Sequence, residues 1–337
     1  MKGVIAREPG TEVIFADMTE PVPGEYDTLV RLDACGICNS TDYKLAKNTF
    51  VSGSFPIALG HESIGTVVET GKKVKHFTPG DRVFRQALPA ILEPDGLRSV
   101  WGGFAELGLV TDEWARQDIP YGPEHYPGAQ QKLLIDVEPA QAATMITLME
   151  TLDCAANTCH VRPGQSVAIV GTGPVGQAFA LFARLLGADS VHVFGRTNRA
   201  LDRFQQIGRC DSFTIDDEYT PDARRILDSG GFDISIEAVG SPDGLQKAFI
   251  LAGAKGVVYV YGVCGDDDPF QQEILARNNV KQAGATEGRI QQRLVNFIET
   301  GQVDLNDWVS HILPLSACQE GFDLVRNKEA VKVVLTA

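Results

Sequence analysis

The amino-acid sequence predicts an α/β protein in two parts, a compact domain of short irregular β-strands and a doubly wound parallel sheet flanked by helices. Three observations carry this expectation. At 337 residues, with 44% hydrophobic and 22% charged side chains, the chain exceeds the size at which one core usually keeps growing. Residues 1–110 read as short β-branched runs broken by Gly and Pro. From residue 166 onward, apolar runs of strand length alternate with runs of helical spacing, the signature of parallel strands joined by helical crossovers.

In the first part, Thr28–Leu32 and Ser63–Glu69 read as strands, and Asp81–Phe84 follows the turn Thr78-Pro79-Gly80. A helix is expected to begin around Asp42–Leu45. The polar stretch 112–130, with Tyr121-Gly122-Pro123-Glu124-His125-Tyr126-Pro127-Gly128 at its centre, has no periodicity and is expected to be a surface loop. In the second part, Val167–Val170 reads as a strand, positions 175, 178, 179, 182, 185 and 186 mark one face of a helix, and Val191–Phe194 is the next strand, which together make a βαβ unit. Phe232–Glu237 and Val257–Tyr261 extend the sheet. Residues 308–335 return to short strands, the last over Ala330–Leu335. The change of periodicity near residue 150 and this late return divide the chain into a first domain of 1–145 completed by 300–337, and a second of 146–299.

The formal net charge of −14 argues against a nucleic-acid surface, which needs clustered Lys and Arg to neutralise phosphates. Charge enters at Lys2 and Arg7, too early for a signal-peptide core, and no apolar run is long enough to span a bilayer. The expectation is a cytoplasmic enzyme of small molecules. The cysteines, at 35, 38, 154, 159, 210, 264 and 318, are an odd set with no disulfide framework, so a reducing compartment fits and thiols are open to metal chemistry.

Gly171-Thr172-Gly173-Pro174-Val175-Gly176 follows the first strand of the βαβ unit. In that setting G-x-G-x-x-G is a dinucleotide fingerprint of the Rossmann type. Gly171 permits the tight turn, Gly173 the approach of backbone to pyrophosphate and Gly176 close helix packing, with Pro174 and Val175 at the helix N-terminus whose N–H groups receive phosphate. An NAD-binding strand usually ends, about 20 residues on, in an acid for the ribose hydroxyls. Here the strand ends in Gly195-Arg196-Thr197-Asn198-Arg199. Asp189 lies before the strand. Gly195 is read as making room for a 2′-phosphate and Arg196 and Arg199 as its partners, so NADP is expected over NAD.

Upstream lie Cys35-Gly36-Ile37-Cys38-Asn39-Ser40-Thr41-Asp42 and Gly60-His61-Glu62-Ser63-Ile64-Gly65, with Gly71 and Val74 completing a regular spacing. A thiolate, an imidazole and a carboxylate suit zinc and leave one position open for substrate. Glu62 and Glu150 are the best carboxylates, and Asp153 a poorer one. A thioredoxin-like role for Cys35 and Cys38 lacks the strand-to-helix setting of that pair.

This set resembles the zinc-dependent medium-chain dehydrogenase/reductase family, which includes alcohol, sorbitol and threonine dehydrogenases. The pattern G-H-E-x-x-G-x5-G-x-x-V is met by Gly60–Val74, and the resemblance covers essentially the whole chain. It implies that the first domain is a GroES-like catalytic domain, that Cys38 is the zinc thiolate with His61 as second ligand, and that Cys35 is a bystander. Relatives acting on polyols place a ligating Glu near Glu150, at the start of the helix preceding the nucleotide domain, and Glu62 exchanges on and off the metal. The family's second, structural zinc is held by four cysteines after the Gly-Asp-Arg-Val turn, and none stands between Phe84 and Phe104, so one zinc per chain is expected. Ser40 is implied to relay the alcohol proton, or to cap the helix after it, and Tyr43 occupies the region of a relay His. A homodimer or homotetramer is implied, working on an alcohol, a polyol or a carbonyl. The competing readings are a zinc-free quinone or enone reductase of the same superfamily, whose members lack the Cys38 and His61 pair, and a non-catalytic nucleotide-binding protein on the same fold.

Overall fold

The structure is a computed structural model that describes every residue except 123–124, 126–127, 205–206, 208–209, 216–217, 263–268 and 285–286. Cys264 and, in the polar stretch, Pro123, Glu124, Tyr126 and Pro127 therefore lie outside the described residues. The chain forms two compact units, Met1–Met149 with Thr286–Ala337, and Glu150–Ala285.

The first unit opens with β1 (Lys2–Ala6), β2 (Ile14–Asp17), β3 (Asp27–Gly36), the helix α1 (Thr41–Ala46), β4 (Ile57–Ala58) and β5 (Glu62–Thr70). It continues through β6 (Arg82–Phe84), β7 (Ile91–Leu92), β8 (Leu97–Ser99), β9 (Leu107–Thr111), α2 (Glu113–Gln117) and α3 (Pro139–Asp153), whose last residues belong to the second unit. In β3 the residues Val30, Leu32 and Ala34 alternate inward while Arg31 is exposed, the period-2 pattern that puts one strand face on a core. β3 pairs antiparallel with β5, setting Gly36 opposite Glu62 and Cys35 opposite Ser63. Val4, Leu32, Ile57, Leu59, Phe104, Phe322 and Leu335 meet in one buried cluster.

The second unit holds β10 (Ser166–Val170), α4 (Pro174–Leu185), β11 (Ser190–Gly195), α5 (Leu201–Arg203), β12 (Ser212–Ile215) and α6 (Pro221–Asp228). It ends with β13 (Ile234–Glu237), α7 (Pro242–Ala252), β14 (Val257–Val260), α8 (Pro269–Leu275) and β15 (Val280–Gln282). Its six strands run parallel in the order β12-β11-β10-β13-β14-β15. Val167, Ala168 and Ile169 are fully buried, as expected of a strand covered on both faces. Strand order reverses at β10, so the C-terminal ends of β10 and β13 define the crevice where doubly wound sheets take ligands.

The chain then returns through α9 (Glu287–Glu299), β16 (His311–Pro314), α10 (Cys318–Arg326) and β17 (Val333–Thr336). β17 pairs with β16 and with β3, placing Val334 opposite Gly36. Three expectations change here. The stretch 112–130 contains α2, capped by Asp112, whose carboxylate accepts from Ala115 N; a single helical turn is too short to leave a period. The stretch 308–335 contains α10 between its strands. Helix α9, which lies inside the expected 146–299 segment, belongs to the first unit, where the Gln291 side chain accepts from Leu134 N at 2.8 Å and donates to Lys132 O at 2.9 Å.

Candidate functional site

Cys38 follows the end of β3 and precedes α1, while His61 immediately precedes β5, which Glu62 opens. The Gly36–Glu62 pairing of β3 and β5 brings these two chain segments side by side. One ligand atom from each of Cys38, His61 and Glu62 lies within 4.8 Å of the other two, and among the described residues this is the group of three or more His, Cys, Asp or Glu side chains with that convergence. A thiol, an imidazole and a carboxylate fit zinc.

Behind the ligands is a layer of buried partners. Asp42, fully buried in the first turn of α1, accepts from Cys38 N at 2.8 Å and Gly60 N at 3.1 Å. Its Oδ1 also lies 3.3 Å from His61 Nδ1. A carboxylate on Nδ1 fixes the tautomer and leaves Nε2 to accept a metal. Burial works against a charged ring, yet Asp42 and then Cys38 outweigh it and hold the His61 imidazole well above its ordinary pKa. Arg85 donates to the His61 carbonyl at 2.9 Å, and the Trp101 ring lies 5.3 Å from the imidazole.

Glu62 is 1% exposed and Lys332 6%, and the two form an ion pair through Oε2. Thr147 donates to Glu62 Oε1 at 3.0 Å and accepts from Lys332 Nζ at 3.0 Å. Oε1 stands 3.9 Å from His61 Nε2, so Glu62 presents one oxygen to the ligand group and commits the other to Lys332. A Cβ on Gly36 would stand 2.6 Å from Glu62 Oε2 and 3.3 Å from Lys332 Cδ; the glycine of Cys35-Gly36-Ile37-Cys38 makes the space the pair occupies.

The remaining candidates are placed as follows. Cys35 is buried inside β3 and its thiol is pushed well above its usual pKa, first by burial and then by the charges of Asp42 and Glu62. Ser40 stands at the N-cap of α1 without a side-chain capping bond, so the expected capping role is not met; Asp42 bonds the adjoining backbone instead. Tyr43 is buried against Phe322 and its hydroxyl donates to Phe322 O at 3.3 Å. Glu150 falls near the C-terminal end of α3, not at its start, because that helix begins at Pro139 and runs on into a π-helical turn at Cys154–Thr158. Its carboxylate accepts from the Tyr261 hydroxyl at 3.3 Å. Asp153 accepts from the Asn157 amide at 2.6 Å.

In the second unit, Gly171 has φ of 126°, a conformation that glycine adopts without strain. Gly173 caps α4 and Pro174 opens it. A Cβ on Gly173 would meet open space, whereas one on Gly176 would collide with the Gly171 carbonyl; the close packing of Gly176 is against the turn itself. Arg196 and Arg199 are exposed after β11, and among the described residues neither forms an ion pair. A Cβ on Gly195 would stand 2.5 Å from Thr172 Cγ2, so the threonine methyl occupies the Cβ side of this glycine. Asp189 is spent on Gly164 N at 2.8 Å.

The chain matches the alcohol dehydrogenase GroES-like domain over residues 24–120 and the zinc-binding dehydrogenase family over residues 174–300. It is 26% identical to the S-(hydroxymethyl)glutathione dehydrogenase of Escherichia coli O139:H28, covering 99% of each chain. It is 25% identical to the sorbitol dehydrogenase of Bombyx mori, over 94% of this chain and 93% of that one. A solved structure described as a zinc-binding dehydrogenase from Sinorhizobium meliloti 1021, bound to NADP, superposes with a TM-score of 0.72 at 25% identity, over 100% of this chain and 99% of that one. The chain belongs to the zinc-dependent medium-chain dehydrogenase/reductase family, with its GroES-like and Rossmann-type folds. It is an oxidoreductase of small molecules that uses zinc and a nicotinamide cofactor. Among the described residues no helix is long and apolar enough to cross a membrane.

Asp42, Thr147 and Lys332 escaped the sequence reading. A lone Lys within the apolar run Val331–Leu335 is the available signal, since a charge among apolar residues at the entry to a buried strand must find a buried partner.

Proposed function

We propose that the chain moves a hydride between an alcohol or polyol, or the corresponding carbonyl, and NADP(H), using one zinc held by Cys38 and His61 and completed by Glu62 or Glu150. The observation that carries this reading is the convergence of the Cys38, His61 and Glu62 ligand atoms to within 4.8 Å. Zinc bound there supplies Lewis acidity at the substrate oxygen, and the nicotinamide carries the hydride. The chain's residues prepare the chemistry. Asp42 orients His61, and Lys332 with Thr147 holds the Glu62 carboxylate in one pose. Ser40, two residues after Cys38 and uncommitted to the cap of α1, takes the alcohol proton and passes it toward solvent. The turn Gly171–Gly176 receives the pyrophosphate at the N-terminus of α4, and Arg196 and Arg199 take the adenosine 2′-phosphate. The NADP in the Sinorhizobium meliloti structure supports the phosphate half of the reading. A homodimer or homotetramer in the cytoplasm belongs to the same reading.

The test is a screen of alcohols, polyols and their carbonyls against both nucleotides, starting from zinc-loaded protein. The expected result is a higher kcat/KM with NADP than with NAD, with turnover abolished in His61→Ala. Equal or better kcat/KM with NAD would remove the phosphate assignment, and turnover surviving in His61→Ala would remove the zinc assignment.

A further inference from the structure

Three side chains of the second unit form a chain of contacts that the nucleotide fingerprint does not require. Thr172 lies in the turn between β10 and α4, Gln177 in the first turns of α4, and Arg203 at the end of α5. The Gln177 amide, 3% exposed, donates to Thr172 O at 3.1 Å and accepts from Arg203 Nε at 2.9 Å. At the other end of the Arg196–Arg199 turn, the Thr172 methyl lies directly on Gly195. The segment carrying Arg196 and Arg199 is thus fastened to the glycine turn twice, at its start through Thr172 on Gly195 and at its finish through Gln177 and Arg203.

Such a segment would otherwise be mobile. Arg196, Thr197, Asn198 and Arg199 are all exposed, and ordering long side chains and their backbone on binding costs free energy that a pre-fixed turn avoids. We infer that Gln177 and Arg203 are positioning residues for nucleotide discrimination, bracing the Arg196–Arg199 turn against the pyrophosphate turn so that a dinucleotide with a phosphate on its adenosine ribose is held by both turns at once. The ligand class is a 2′-phosphorylated nicotinamide dinucleotide, and the inference rests on the assignment of Arg196 and Arg199 to that phosphate. Arg203 acts through Gln177, to which its Nε donates at 2.9 Å, and the double variant separates this role from a direct contact of its other guanidinium nitrogens with the phosphate. The brace therefore works as a unit, and removing either member removes it.

The test is the dissociation constant of NADPH and of NADH, read by the fluorescence of the reduced nicotinamide, for the full chain and for Gln177→Ala, Arg203→Ala and the double variant. Loss of one hydrogen-bonded tie predicts about a five- to tenfold weaker NADPH complex in each single variant, a double variant no weaker than either, and NADH affinity within about twofold of the parent in all three. Equal weakening of both nucleotides would reduce the brace to a general structural role and overturn the inference. So would losses that multiply in the double variant, or a loss in Arg203→Ala with none in Gln177→Ala, since both describe an independent phosphate contact. A parent that binds NADPH and NADH equally sinks the phosphate assignment itself. A parent preference that survives unchanged in the variants sinks the brace alone.

Discussion

The metal side and the nucleotide side of this enzyme are built by opposite means. The ligand group of the first unit and the partners behind it are made of side chains, almost all buried, drawn from residues 38, 42, 61, 62, 147 and 332, and their ion pair joins residues 270 positions apart. The nucleotide turn of the second unit is made largely of backbone from one contiguous run, Gly171–Gly176, with exposed guanidiniums a short distance on. A buried polar network is costly to break, because a charge left without its partner keeps its desolvation penalty. An exposed guanidinium is ordered only by its ligand, and its loss is felt in binding more than in folding. Substitutions in the two regions should therefore differ in kind, affecting stability and metal in one and nucleotide preference in the other.

The largest effect on stability is expected at Lys332. Replacing it with Met strands the Glu62 carboxylate in a site that is 1% exposed, and removal of one partner of a buried pair costs about 3–5 kcal/mol. Chemical denaturation of Lys332→Met should show that loss, and Lys332→Met with Glu62→Met should recover much of it. A single-variant loss below about 1 kcal/mol would mean that the pair behaves like a surface contact, and the contrast between the two regions would fail there.

A smaller effect is expected at Asp42, which is buried and would act on a bound metal through His61 Nδ1 and the Cys38 backbone. Asp42→Asn keeps the shape and weakens its hold on Nδ1, and loss of such an outer partner typically lowers metal affinity by about 10–100-fold. Competition with a chelator measures this. An unchanged zinc affinity would leave Asp42 with a purely structural role at Cys38 N and Gly60 N.

The smallest effect lies away from both sites, at Asp112. Burial raises the pKa of its carboxyl, but hydrogen bonds from His76 and from the backbone of Ala115, Lys75 and His76 prevail and lower it. A lowered folded-state value means that the stabilisation is present above the unfolded pKa, about 3.9, and is lost as pH falls through the folded value. Asp112→Asn keeps a capping oxygen but loses the charge that strengthens the bonds from His76 and the backbone, and should cost about 1 kcal/mol at neutral pH, with the difference from the parent shrinking below about pH 4. A penalty of the same size in acid would assign it to shape and not to charge.

The same contrast explains what could be read in the sequence. Strands β3, β5, β10, β11 and β13 stood out because their patterns are local, as did the dinucleotide turn and the segments holding Cys38, His61 and Glu62. Asp42 looked like an ordinary acid in a first helical turn. Thr147 lay unmarked within α3, and nothing in the sequence joins Lys332 to Glu62, because that contact exists only once β17 has paired with β3. The resemblance puts Glu150 at a helix start, whereas α3 begins at Pro139 and Glu150 falls near its end. The packing of the Thr172 methyl on the Cβ side of Gly195 is likewise a tertiary contact that the local sequence does not announce.

The most direct measurement of the central claim, that one metal sits in the side-chain cluster of the first unit, is elemental analysis of zinc per chain in the parent and three variants. One zinc is expected in the parent and in Cys35→Ser, whose thiol is buried within β3, and none in Cys38→Ala or His61→Ala, with turnover lost in both. Two zincs in the parent, or zinc and full turnover retained in Cys38→Ala, would contradict it.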